Sequence, residues 1–398
     1  MADALAAARP RVVAALAAHF RDLDLAEDAF AAACEAALRE PTPIRDPAAW
    51  TYVTARRRAL DARRKAEREE RAIASQPEAE TMGDVITFPE PIPDERLRLL
   101  FICCHPALAV EARIALALRT ICGVSVPRIA RAFLVAEPTM YQRITRAKAK
   151  IGAAKILFET PPPGEWAGRL GAVLETLETA LGIAYRNASG AGDTAGLAPE
   201  VERLAEFLAE LMPEEAEAFG LLAVVSVIRS RENARLDGDG AMVPLSQQDI
   251  AKWDAVRIEA GRRALDRATA LRTPGPMQVL AAIHLTHAMR VHDRPTDWRA
   301  ILRLYDALLA MRPTPVIAIN RAVALSRAYS SEDGLAALDE LDADRLADFL
   351  PFHAARADLL ARAGRGEQAR AAYDAALALE PEAAEARFLS AQRDALGA

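Results

Sequence analysis

The sequence predicts an all-α protein, and three observations carry that reading. Alanine, leucine, arginine and glutamate dominate while aromatic residues make up only 5 %, a composition rich in strong helix formers. Apolar residues recur at helical spacing through most of the chain. Proline-rich stretches interrupt the pattern near residues 41–47, 73–93 and 161–163, where separate helical blocks would meet. A length of 398 residues allows two to four domains.

The first block opens with a helix whose buried face carries Val12, Val13, Leu16 and Phe20. A second is expected from Leu25 to Leu38 with Asp24 as its N-cap, since an Asp oxygen accepts from the free N–H groups of a first turn. Pro41-Thr42-Pro43 and Asp46-Pro47 form the next loop. A third helix starts at Pro47, because proline suits the first helical position, and runs through Trp50 into Arg56, Arg57, Arg58, Arg63, Arg64 and Lys65. Trp50 lies near the edge of the face that carries Val53 and Leu60. An aromatic beside a row of cations can hold single-stranded nucleic acid by stacking and charge.

From Ile73 to Pro93 the helical pattern dissolves into prolines and acids, which reads as a flexible linker. Helical order resumes at Asp94 and continues to about Phe158. Cys103 and Cys104 sit in the apolar run Leu99 to Cys104, where packing is the expected role; with Cys34 and Cys122 they lack the spacing of a zinc site or disulfide framework. Next come two short helices around a turn. Val126, Ile129, Ala130 and Phe133 share one face of the first; Ala136-Glu137-Pro138 breaks it. On the second, Met140, Ile144, Ala147 and Ile151 share a face, and Gln142, Arg143, Arg146 and Lys150 lie mostly outside it. This is the layout of a helix-turn-helix, whose second helix enters the major groove. An amphipathic hairpin with solvated charges fits the same pattern.

Pro161-Pro162-Pro163-Gly164 reads as a stiff hinge into a third, longer helical block. Near its end Ala357, Gly364, Ala369, Tyr373, Ala376 and Pro381 fall where a tetratricopeptide repeat of about 34 residues puts small residues, an aromatic and a closing proline. Pro315 to Leu341 looks like a weaker relative of that helix pair. Asp237-Gly238-Asp239-Gly240 lacks the bidentate Glu of a calcium loop and reads as a turn. His284 and His287 share a helix without a third ligand nearby, so packing is the expected role. No glycine-rich phosphate loop or catalytic constellation is found, and no enzyme activity, metal or cofactor is expected.

Charge is unevenly distributed. Residues 1–159 carry 24 Lys and Arg against 21 Asp and Glu, a net of +3; residues 160–398 carry 26 against 35, a net of −9. Such segregation points to a front that faces nucleic acid and a back that avoids phosphate. Without an apolar run of about 18 residues or a leader-like N-terminus, the expected location is the cytoplasm, away from membranes.

Several motifs in fixed order resemble an extracytoplasmic-function sigma factor of bacterial RNA polymerase. They are Asp24 to Phe30, Asp46 to Trp50, Ala55 to Asp61, Asp94 to Leu97 and Phe133 to Arg143. The remainder resembles the tetratricopeptide-like extension of one subgroup, through Asp237 to Gly240, Leu245 to Asp249, Trp253-Asp254, Thr296 to Trp298 and Asn320 to Ala324. The resemblance implies two small helical sigma domains, region 2 over 1–72 and region 4 over 94–158, joined by the linker 73–93, with the extension over 165–398. It implies core RNA polymerase and promoter DNA as partners. Asp24, Glu27 and Asp28 would then meet the polymerase. Trp50, Arg57, Arg58, Arg64 and Lys65 would act at the −10 element, beside a base pocket in the loop Glu40 to Asp46. Thr139, Gln142, Arg143, Arg146 and Lys150 would read the −35 element. The sequence departs from the family where Ala31 and Ala32 replace a Gln-Glu pair and Arg57 replaces a common Asn. From its acidity and its place after the proline hinge, the extension is expected to be a protein-interaction module or an intramolecular clamp on the sigma domains. A helix-turn-helix regulator and a repeat scaffold without polymerase binding are the alternative readings.

Overall fold

The computed structural model describes residues 2–40, 44–73, 95–153, 162–186, 196–292 and 294–396. The expected linker 73–93 therefore lies almost wholly outside the described residues, as do Pro161 and residues 41–43 of the proposed base pocket. The fold is all-α. Among the described residues there is no β-strand, only an isolated antiparallel bridge between Leu236 and Met242. Two compact units emerge, Met1–Ile183 with Gly190–Phe207, and Ala184–Ser189 with Leu208–Ala398.

The first unit begins with α1 (Ala2–Phe20), α2 (Leu23–Arg39) and α3 (Pro47–Ile73), which pack on one another. Val12, Val13, Leu16 and Phe20 are buried as their spacing requires. The N-cap of α2 is Asp22, not Asp24: its side chain accepts from the Leu25 N–H at 3.0 Å. Helix therefore starts two residues earlier, and Asp24 faces water in the first turn. On α3 the buried stripe is Thr51, Ala55 and Ala59, a strict i, i+4 row. Val53 is 66 % exposed, so the face expected from Val53 and Leu60 is displaced toward the small residues. Small side chains let the backbones of α2 and α3 approach, which a stripe of larger residues would prevent.

α4 (Glu95–Cys103), α5 (Val110–Thr120), α6 (Val126–Ala132) and α7 (Glu137–Ala153) follow, and α4 packs directly against α1. Leu97, Leu99, Leu100, Phe101, Ile102, Cys103 and Cys104 are all buried. Burial pushes the Cys104 and Cys122 thiols up to about 12, so they pack as small apolar groups. Two further helices, α8 (Ala167–Arg186) and α9 (Leu197–Leu211), lie for most of their length in this first unit. Trp166 packs against Phe101, the rings tilted by 43° with centroids 5.9 Å apart. Buried Arg169 donates from Nη1 to the Phe101 carbonyl at 3.0 Å, and Arg96 on α4 pairs with Glu200 on α9.

The second unit runs through α10 (Ala216–Arg229), α11 (Ala255–Ala270), α12 (Pro276–Ala288), α13 (Trp298–Met311), α14 (Pro315–Ala328), α15 (Ser331–Asp339), α16 (Leu350–Arg362), α17 (Gly366–Ala378) and α18 (Ala383–Ala395). Each helix packs on the next, and α10 also packs on α12. Gly220 makes that closeness possible: a Cβ there would stand 2.9 Å from the Gln278 nitrogen. Ala357, Ala369, Tyr373 and Ala376 are buried between α16 and α17, and Gly364 turns the chain between them at φ 74°. Several residues singled out in the sequence prove to be local structure. Asp254 and Asp297 cap α11 and α13 by accepting from the Arg257 and Ala300 N–H groups at 3.1 and 2.9 Å. Asp237 folds its own loop, accepting from the Asp239 and Ala241 N–H groups at 3.0 and 2.8 Å.

Candidate nucleic-acid interface and polymerase-contact residues

α6 and α7 form a helix-turn-helix whose turn is fixed by backbone chemistry. α6 ends in a Schellman motif: the Leu134 N–H donates to the Arg131 carbonyl at 3.3 Å, and the Val135 N–H to the Ala130 carbonyl at 3.1 Å. Leu134 takes the left-handed position at φ 53°, where glycine is usual. Pro138 then stands in the first turn of α7, where its missing N–H costs nothing.

Met140, Ile144, Ala147 and Ile151 are buried against the rest of the domain. Thr139, Gln142, Arg146 and Lys150 are exposed and Arg143 is half-buried. At 3.6 residues per turn those five fall within a sector of about 100°. Their side chains form no ion pair with a carboxylate among the described residues. Tyr141, 53 % exposed, lies on another side of α7, about 20° around the helix from Lys148. It was not among the expected contact residues, although its place between Met140 and Gln142 already puts it outside the buried stripe.

On α3, Arg57, Arg58, Arg64 and Lys65 are exposed and Trp50 is half-buried. They occupy a sector of about 120° that adjoins the Thr51, Ala55 and Ala59 stripe at Arg58 and turns away from it toward Arg64. Asp46 caps this helix, accepting from the Ala49 N–H at 3.0 Å, and so fixes where Trp50 emerges. The tryptophan and the cations thus share one side of α3.

The acidic residues of α2 have a different fate. Asp24 and Asp28 are exposed and Glu27 is half-buried. Lys148 of α7 places its ammonium 3.0 Å from an Asp24 carboxylate oxygen and also pairs with Glu27. Arg9 of α1 holds the other Glu27 oxygen at 2.6 Å. Burial alone would lower the Lys148 pKa; the hydrogen bond and charge of Glu27, then those of Asp24, outweigh it and raise the value. Lys148 projects from nearly the opposite side of α7 to the five exposed residues. The helix therefore touches α2 without using its open face. Sequence reasoning missed this residue, because only its place beside Ala147 marks it and its partners lie 121 and 124 residues away.

Residues 98–151, which contain α5, α6 and most of α7, match the family described as "Sigma-70, region 4", and this match supports a place in the sigma-70 family with a sigma-like DNA-binding role. Residues 169–269 match a family of unknown function. The chain is 41 % identical over 408 aligned positions to an uncharacterized protein of Rhizobium meliloti (strain 1021), covering 99 % of this chain and 95 % of that one. Among the described residues, no helix is long and apolar enough to cross a membrane.

Proposed function

We propose, for a chain that belongs to the same family as the uncharacterized Rhizobium protein and carries a region 4 of the sigma-70 type, the role of a promoter-specificity subunit of bacterial RNA polymerase. It is a sigma factor of the extracytoplasmic-function group, works in the cytoplasm and catalyses no reaction of its own. The observation that carries this reading is the region 4 match over a helix-turn-helix whose open face bears Thr139, Gln142, Arg143, Arg146 and Lys150.

In this reading α7 enters the major groove of the −35 element. Arginine is suited to the O6 and N7 acceptors of guanine, and Gln142 to adenine. Lys150 and Thr139 serve phosphate and positioning contacts, which fix register. Residues 1–72 act as region 2. Trp50 stacks on a base of the melted −10 strand, while Arg57, Arg58, Arg64 and Lys65 follow its backbone. Asp24, Glu27 and Asp28 contact the core enzyme. Residues 73–93 join the two DNA-reading parts, and residues 165–398 are a tetratricopeptide-like extension that acts on the sigma part by an intramolecular contact.

Run-off transcription with purified core polymerase and genomic DNA tests the proposal. Transcripts that share two upstream elements and depend on this protein are expected. A protein that binds duplex alone as a dimer on a palindrome, and never co-purifies with core enzyme, would instead be a helix-turn-helix regulator. A protein that binds neither DNA nor core enzyme would be a repeat scaffold.

A further inference from the structure

Arg231 follows the end of α10 and is only 1 % exposed. A guanidinium remains charged in proteins, and a buried charge is tolerated when paired. This one has no carboxylate partner among the described residues. Its Nη2 stands 3.2 Å from Nδ1 of His284 on α12, while buried Nε and Nη1 have no hydrogen-bond partner among the described residues. The neighbours whose charge it feels are Tyr185, Arg235 and Tyr305.

The surroundings repeat the imbalance. Arg235 lies over the Tyr185 ring at 3.8 Å, and the nearby acid Glu232 is held by Arg229 at 2.8 Å. Burial, then the charges of Arg231 and His287, push the His284 pKa well below its usual value. Burial, then Arg231, Arg290 and Arg327, lower that of His287 to about 4. Both imidazoles are thus neutral at pH 7, and burial keeps the Tyr305 phenol protonated by raising it to about 12. Tyr185, His284, His287 and Tyr305 each retain some exposed surface. The group around Arg231 therefore combines an uncompensated guanidinium with free N–H donors, neutral phenol and imidazole groups, and aromatic walls.

We infer that Arg231, with His284, Tyr185 and Tyr305, forms a binding site for a small organic carboxylic acid in its ionised form. One unpaired guanidinium matches one carboxylate charge. The aromatic walls suit a flat or apolar body behind it, which an inorganic dianion lacks. The bound anion would supply the missing partner and stabilise the folded unit by mass action.

The test titrates the full chain with sodium benzoate, acetate and phosphate at constant ionic strength. It follows the histidine side-chain resonances and the melting temperature. Saturable binding of benzoate is expected, with shifts at His284 and His287 and a rise in melting temperature; phosphate should bind at least about ten times more weakly. Arg231→Met should weaken benzoate binding by at least about tenfold. Tyr305→Phe, which removes only a hydroxyl, should weaken it several-fold and keeps the test decisive should Arg231→Met not fold. No saturation by benzoate up to about 10 mM, stronger binding of phosphate, or unchanged affinity in both variants overturns the assignment.

Discussion

Arg143 and Arg146 stand on the open face of α7 with no carboxylate to hold them among the described residues, so their hydrogen-bond capacity is free for a partner. In the proposed function each guanidinium reaches a guanine edge or a phosphate. Arg143→Ala and Arg146→Ala should each cost about 1–3 kcal/mol of binding to a promoter with an intact upstream element. A base-reading arginine would also relax the preference at one position. Initiation at wild-type rates by both variants on such a promoter would remove α7 from that role. Leu134 sets the orientation of the same helix from the other side of the turn. Its left-handed backbone, φ 53°, is unfavourable for any residue with a Cβ and worse for a β-branched one. Leu134→Val should lower the denaturation free energy by about 1 kcal/mol, and Leu134→Gly should change it by less than about 1 kcal/mol, as relief of strain offsets a freer unfolded chain. A valine variant as stable as the leucine parent in chemical denaturation would contradict this account of the turn.

At the scale of helices, α7 has two working sides. Its pairing through Lys148 draws it to Asp24 and Glu27 of α2, the residues assigned to polymerase contact. Charge reversal by Lys148→Glu should break the pairing and add repulsion. Charge-assisted hydrogen bonds of this kind contribute about 1.5–3 kcal/mol, so apparent affinity for core polymerase should rise several-fold or more once α2 is released. Lys148→Arg, which keeps the charge, should behave as the parent. Equal polymerase affinity for the glutamate and arginine variants in a pull-down titration would show that the contact does not compete. Much of α7 was legible beforehand, because Met140, Ile144, Ala147 and Ile151 repeat at the helical period and a proline marks the start. α3 was legible in existence and extent but not in its buried face, since alanine and threonine carry little hydrophobic signal beside Val53. The α2 start was displaced because Asp22 and Asp24 are equally good caps in a string of letters, and only the Leu25 N–H distinguishes them. The Lys148 contact was not legible at all: no local pattern records which acid a lysine meets more than a hundred residues away. Arg231 was hidden for a related reason, as Arg229-Ser230-Arg231-Glu232 has the look of a solvated charge run.

For the molecule as a whole, the proline-rich stretch at 161–163 suggested a boundary at 165, whereas the first compact unit continues to Phe207. The reason is packing: Trp166 and Arg169 close over Phe101, and Glu200 satisfies Arg96, which is only 5 % exposed. A fragment of residues 1–158 would lose the Glu200 contact of Arg96 and leave Phe101 open to water. A fragment of residues 1–207 should therefore melt cooperatively and at a higher temperature than 1–158. Circular dichroism melts of the two fragments check this, and equal midpoints would refute the role assigned to α8 and α9. The second unit is joined to itself in a further way. The Asp237 loop, which follows its first long helix, meets its last one: the Met242 N–H donates to the Ala384 carbonyl at 2.9 Å, and Arg387 donates to the Gly240 carbonyl at 3.1 Å. An array held only by nearest neighbours unravels from a free end. Here the terminal helix is tethered to the opening segment, so fraying at one end must also break a contact at the other. Heat or denaturant should then meet a closed circuit with no loose thread, and the helices α10 to α18 should exchange their amide protons at a common, global rate in place of a gradient that falls toward the C-terminus.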